Sequence, residues 1–274
     1  MRPWIFFIRG CFFVILSARM SKKIIMGKEL KAAYQMMNET NDHLFLTGRA
    51  GTGKSTLLTY FREHTHKKHV VLAPTGVAAL NVKGQTIHSF FGFHPAIQLH
   101  LVQRANKQAL ALFRTIETIV IDEISMVRAD LLDCIDRALR LNRERPRDPF
   151  GGVQMIFIGD LYQLPPVVTR EEQFRFETEY TSPYFFSAYS MGEISIKKIE
   201  LKKVYRQKEK TFVELLEKVR TKTVTPTDVK TWNERHDPHF DPLEETAYIH
   251  LTTTNNMAQQ RNAYELKRLP GKEW

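Results

Sequence analysis

Three short runs of this sequence carry side chains suited to phosphate chemistry. "GRAGTGKST", Gly48 to Thr56, fits the pattern G-x-x-x-x-G-K-[ST] and stands between an apolar run and a helical one. Such a loop lets the backbone amides of Gly48, Ala50, Gly51, Thr52, Gly53, Lys54, Ser55 and Thr56 converge on phosphate oxygens at a helix N-terminus. Lys54 is expected to reach the terminal phosphates of a nucleoside triphosphate and Ser55 to hold Mg2+. "TIVIDEISMV" delivers two carboxylates at the end of an apolar run, Asp122 for the metal's water shell and Glu123 to orient and deprotonate an attacking water. "IFIGDLYQLPPV" follows another such run with Asp160 and with Gln163, whose neutral amide can sense a γ-phosphate without competing for metal. Pro165 and Pro166 stiffen what comes next. In "LKKVYRQ", Arg206 is placed to stabilise charge on the transferring phosphoryl group.

These groups need a scaffold that brings strand ends together. "HLFLTG" (43–48), "HVVLAP" (69–74), "TIVIDE" (118–123) and "VQMIFIGD" (153–160) are near-continuous apolar runs of strand length, separated by helical patterns. That alternation predicts an α/β fold, a parallel sheet with helices on both faces. "ADLLDCIDRALRLN" predicts a helix with Cys134 facing or flanking the core, and "RERPRDPFGG" (143–152) an exposed loop. "TFVELLEKVR" predicts an amphipathic helix. "AYIHLTT" and "NNMAQQRNAYELKRL" predict a strand and a helix that begin a second α/β unit.

The 274 residues, 43% apolar, exceed one ordinary domain, and the net charge of +10 favours an anionic partner, nucleic acid first. Two cysteines, Cys11 and Cys134, give neither a disulfide framework nor a thiolate metal site, which suits the cytosol. The apolar start, residues 1–26, is interrupted by Arg9 and admits three readings: a start codon placed too early, with translation from Met20 or Met26; a membrane anchor; or a targeting peptide. The early start codon accounts best for Arg9 and for the poor cleavage site "LSARMS". The histidines of "HTHKKH" and "HDPHF" lack acidic or thiolate support and read as surface residues.

Taken in order, "GRAGTGKST", "APTGVAALNVKGQTIHSFF", "IDEISMV", "GDLYQLPPV" and "LKKVYRQ" resemble the PIF (petite integration frequency) family of superfamily-one, RecD-like DNA helicases. The resemblance is strong over Leu44 to Gln207 and continues weakly through "LTTTNNMAQQRNAYEL". It implies a RecA-like P-loop NTPase domain over 27–203 and part of a second over 204–274. It also implies ATP and Mg2+ as cofactors and single-stranded DNA as partner, for 5′-to-3′ unwinding in DNA repair, replication, recombination or telomere maintenance. On this reading Thr75, Gly76, Thr86, His88 and Phe90 lie on or near the DNA path, where hydroxyls and amides hold phosphates and an aromatic face stacks a base, while Phe91 belongs to the core. Two departures stand out: Gln35 in "ELKAAYQMMNETN" is a poor counterpart of the adenine-reading glutamine, and the later motifs of the second domain do not occur before Trp274. The expectation is therefore a shortened helicase with little unwinding by itself, its missing C-terminal half a candidate partner. The alternatives are another P-loop DNA motor, such as the helicase part of a conjugative relaxase or a RecD-like subunit, and a non-motor protein that keeps ATP and DNA binding as a relic.

Overall fold

The computed structural model describes residues 26–205, 210–237, 250–269 and 271. The readings of the apolar start, the strand "AYIHLTT" and the placement of Arg206 fall wholly or mainly outside them. Six strands, β1 (His43–Gly48), β2 (His69–Ala73), β3 (Gln85–Thr86), β4 (Thr118–Ile121), β5 (Gln154–Gly159) and β6 (Ile196–Leu201), form one parallel sheet in the order β3-β2-β4-β5-β1-β6. Between and around them run α1 (Lys28–Glu39), α2 (Lys54–His64), α3 (Gly76–Asn81), α4 (Ile87–Phe91), α5 (Lys107–Thr115), α6 (Ala129–Arg143), α7 (Arg170–Glu179) and α8 (Lys210–Arg220).

The apolar runs are continuous because both faces of the sheet are covered. Side chains alternate along a strand, so Phe45, Ile119, Ile121, Met155 and Phe157 pack on one side with Leu132, Ile135 and Leu139 of α6 and Phe113 of α5. Their neighbours Leu44, Leu46, Val120, Ile156 and Ile158 pack on the other with Leu30, Ala33 and Met37 of α1 and Leu57, Leu58 and Phe61 of α2. Every residue of the central β4 and β5 is buried, whereas β6 at the edge buries Leu201 alone.

Two expectations need adjustment. "RERPRDPFGG" is only partly exposed: Phe150 is fully buried, its amide donating to Asp136 Oδ1 at 2.6 Å, and the Arg143 guanidinium donates to the carbonyls of Phe113, Ile116 and Gly151. Carbonyls at the end of α5 that need donors, and the Phe150 amide that needs an acceptor, thereby draw the loop inward. The expected boundary at 204 falls inside a compact unit spanning Ile25–Thr225, because the chain leaving β6 crosses back over the phosphate loop and α8 is tied to the strand ends. The remaining described residues belong to a second compact unit and contain α9 (Pro226–Asn233) and α10 (Asn255–Arg268). Cys134 is buried in α6, and burial pushes its thiol up to about 12, the state of an inert structural cysteine. None of the described helices is long and apolar enough to cross a membrane.

Candidate functional site

The C-terminal ends of β1, β4 and β5 meet at the centre of the sheet. From β1 the chain enters the loop Gly48–Gly53, where Gly48 (φ 151°) and Gly53 (φ 99°) adopt conformations that strain any L side chain. A Cβ on Gly48 would also lie 2.6 Å from the Leu201 carbonyl oxygen. Buried Thr52 braces the loop, its hydroxyl donating to the Arg49 carbonyl at 2.8 Å. The Tyr205 amide donates to the Gly51 carbonyl at 2.8 Å and ties down the outer side.

Lys54, the first residue of α2, folds its ammonium back to donate to the carbonyls of Gly48 (2.6 Å) and Arg49 (3.1 Å). Burial lowers its pKa, and the nearby carboxylates of Asp160, Glu123 and Asp122 offset this only partly. A cation short of compensating charge in such a loop is a receptor for an anion. Ser55 and Thr56 are exposed on the first turn beside it.

Beyond β4, Asp122 is 8% exposed, and burial first, then the neighbouring Glu123, raises its pKa to about 6. Glu123 takes a left-handed conformation (φ 52°), an unfavourable one for a non-glycine residue, and from it the chain turns into the Ile124–Met126 3-10 turn. Two adjacent carboxylates, one of them desolvated, are only partly offset by the Lys54 charge. With the Ser55 hydroxyl they offer hard oxygen donors that fit Mg2+.

Beyond β5, Asp160 is 2% exposed yet ionises readily: burial acts to raise its pKa, but hydrogen bonds from Arg220, the Tyr162 amide and Gln163 bring it below the ordinary value. Gln163 Nε2 reaches Asp160 Oδ2 at 3.4 Å. Arg220, in the last turn of α8, was not picked out from the sequence. Its ion pair with Asp160 (3.0 Å) joins residues 60 positions apart, and no motif announces it.

The residues expected on a DNA path stand at the ends of β2 and β3, to one side of the loop. Thr75 caps α3 by accepting the Ala78 amide at 3.2 Å, and Thr86 caps α4 by accepting the Ser89 amide at 3.2 Å. Ala73 and Thr86 are register partners, so the two caps flank one strand edge. Gly76 is exposed and His88 half-buried, with burial lowering the imidazole pKa. Phe90 packs edge-on against Phe91 and Phe113, so its ring is as much engaged with the core as that of Phe91. Gln35 is exposed on α1. His64 and His66 are exposed, and His64 stacks on Tyr60.

A parallel sheet with both faces covered, a phosphate loop after β1 and acidic residues at the tips of β4 and β5 define a RecA-like P-loop NTPase. The chain belongs to the PIF1-like helicase family, whose model matches residues 25–228. It is 33% identical over 246 residues to the ATP-dependent DNA helicase PIF1 of Emericella nidulans, covering 85% of this chain and 32% of that protein. Against the ATP-dependent DNA helicase RRM3 of Saccharomyces cerevisiae, identity is 31% over 265 residues, 92% of this chain and 35% of the relative. Among solved structures, the Pif1 helicase from Bacteroides in complex with ADP-AlF3 and single-stranded DNA superposes with a TM-score of 0.84 at 35% identity, covering 91% of this chain and 59% of that one. The Pif1 helicase from Candida albicans gives 0.73 at 30% identity, covering 90% and 56%. The chain thus spans about a third of the length of these curated relatives.

Proposed function

We propose that this chain is the ATP-hydrolysing, single-stranded-DNA-binding part of a 5′-to-3′ DNA helicase. The observation that carries the reading is the convergence on one sheet edge of Lys54, Asp122 with Glu123, and Asp160 with Gln163, beside the capped ends of α3 and α4. The solved Bacteroides relative holds ADP-AlF3 and single-stranded DNA, which supports the same ligand classes here.

In this reading the loop amides and Lys54 hold the β- and γ-phosphates, and Lys54 exchanges its contacts with the Gly48 and Arg49 carbonyls for phosphate oxygens. Ser55 and Asp122 hold Mg2+, which when bound supplies positive charge to the phosphates. Glu123 orients and deprotonates the attacking water; Gln163 senses the γ-phosphate; Arg206 adds a cation toward it. Thr75, Gly76 and Thr86 present hydroxyls and amides to DNA phosphates, with His88 and Phe90 at the margin.

The test is phosphate release by the 274-residue chain with and without oligo-dT. Stimulation by DNA, lost in Lys54→Ala, supports the motor core. DNA binding with no turnover supports the relic instead.

A further inference from the structure

α8 reaches the nucleotide cleft on two sides. Arg220 pairs with Asp160 at the tip of β5, Nη2 to Oδ1 at 3.0 Å and Nε to Oδ2 at 3.3 Å, and its guanidinium covers the ring of Tyr162 at 4.1 Å. Glu217, one turn earlier, accepts from Arg220 at 3.2 Å and pairs with Arg49 of the phosphate loop at 3.4 Å. The series Arg49, Glu217, Arg220, Asp160 therefore bridges the tips of the neighbouring strands β1 and β5. Its last member is shared: Asp160 Oδ2 accepts from both Arg220 Nε and Gln163 Nε2, at 3.3 and 3.4 Å. Both bonds lie at the long end of the hydrogen-bond range.

We propose that Arg220 is a positioning residue that couples the state of the nucleotide cleft to α8, competing with Gln163 for Asp160. The inference rests on the reading of Gln163 as a phosphate sensor. When Gln163 turns toward a phosphate it releases Oδ2, and the bidentate pair that Arg220 already makes with both carboxylate oxygens tightens at its long Nε–Oδ2 arm. α8 is then held more firmly in the triphosphate state, and through Glu217 the phosphate loop is held with it.

Amide hydrogen exchange on the full 274-residue chain tests this, with Mg2+ and either ADP or a non-hydrolysable ATP analogue. In the unsubstituted chain, the analogue slows exchange of 210–220 more than ADP does. Gln163→Ala, which frees Oδ2 permanently, slows exchange of α8 without any nucleotide. Arg220→Lys keeps the charge but not the fork; it removes the difference between the two nucleotides in α8 and reduces the preference for the analogue over ADP about five- to tenfold. Arg220→Ala does the same and more, and the lysine variant serves if the alanine one fails to fold. Equal slowing of α8 by both nucleotides in the unsubstituted chain, or Arg220→Lys weakening both nucleotides equally, overturns the coupling. Loss of all nucleotide binding in the unsubstituted chain overturns the nucleotide-site reading instead, so the two failures are distinguishable.

Discussion

Lys54 holds a position that a neutral side chain could fill structurally but not chemically. Its ammonium satisfies two loop carbonyls, yet burial makes its charge costly, so contact and desolvation oppose one another. Lys54→Ala is therefore expected to change unfolding free energy by less than about 1 kcal/mol while lowering DNA-stimulated turnover at least about a hundredfold. Thermal melting and phosphate release, measured on one preparation, check both halves. On the proposed reading, Glu123 separates binding from chemistry in the opposite way. Glu123→Gln keeps shape and hydrogen-bonding capacity but cannot take a proton, so hydrolysis falls about 10²- to 10⁴-fold while binding of a fluorescent ATP analogue persists. Parallel loss of binding and hydrolysis would remove Glu123 from the role of base.

Elements hold these residues in place through contacts of very unequal visibility. At the start of α7, Glu172 accepts from the Thr169 amide and hydroxyl and from Arg128 Nη1 at 2.8 Å. The Arg128 hydrogen bond first, and the Thr169 contacts with it, bring the Glu172 pKa down to about 2. Because the folded value lies below the unfolded one, this stabilisation is complete above roughly pH 4.5 and is lost as pH falls toward 2. Glu172→Gln should then cost about 1 kcal/mol at pH 7, discounted for solvent screening, and progressively less as pH falls, vanishing only below about pH 2, as denaturant melts across that range would show. The capping-box spacing of Thr169 and Glu172 is legible in the chain, whereas the contact with Arg128, 44 positions away, is not. What was readable had an apolar period: the cores of β1, β2, β4 and β5, and helices α6, α8 and α10. β3, only two residues long, and β6, whose adjacent Lys197 and Lys198 and whose Glu200 are exposed at the sheet edge, carry too little apolar pattern to stand out. The phosphate loop and the acids after β4 were legible because their spacing is fixed by local backbone geometry. Arg220 was not, since its partner is set by how α8 folds back.

For the molecule as a whole, the +10 charge suggests a basic protein that grips DNA by charge. The distribution argues otherwise. Residues 1–25 hold Arg2, Arg9, Arg19, Lys22 and Lys23 and no acid, so they supply five of the ten net charges. The groups proposed to meet DNA include no lysine or arginine: the Thr75 and Thr86 hydroxyls, the Gly76 amide, and a His88 imidazole whose pKa burial lowers. Each cation that neutralises a phosphate of a single strand contributes about −0.7 to the slope of log K against log salt, whereas neutral donors contribute almost nothing. A chain that binds through the ends of α3 and α4 should therefore show a shallow slope, about −1 to −2, and residues 26–274 should bind oligo-dT nearly as well as the full 274. Thr86→Ala would weaken that binding about fivefold through the lost contact and the roughly 1 kcal/mol cap, while Thr86→Ser would retain both. Fluorescence anisotropy across a series of KCl concentrations gives the slope directly. A value steeper than about −4, insensitive to Thr86, would transfer the DNA contact from this strand edge to the general basic surface.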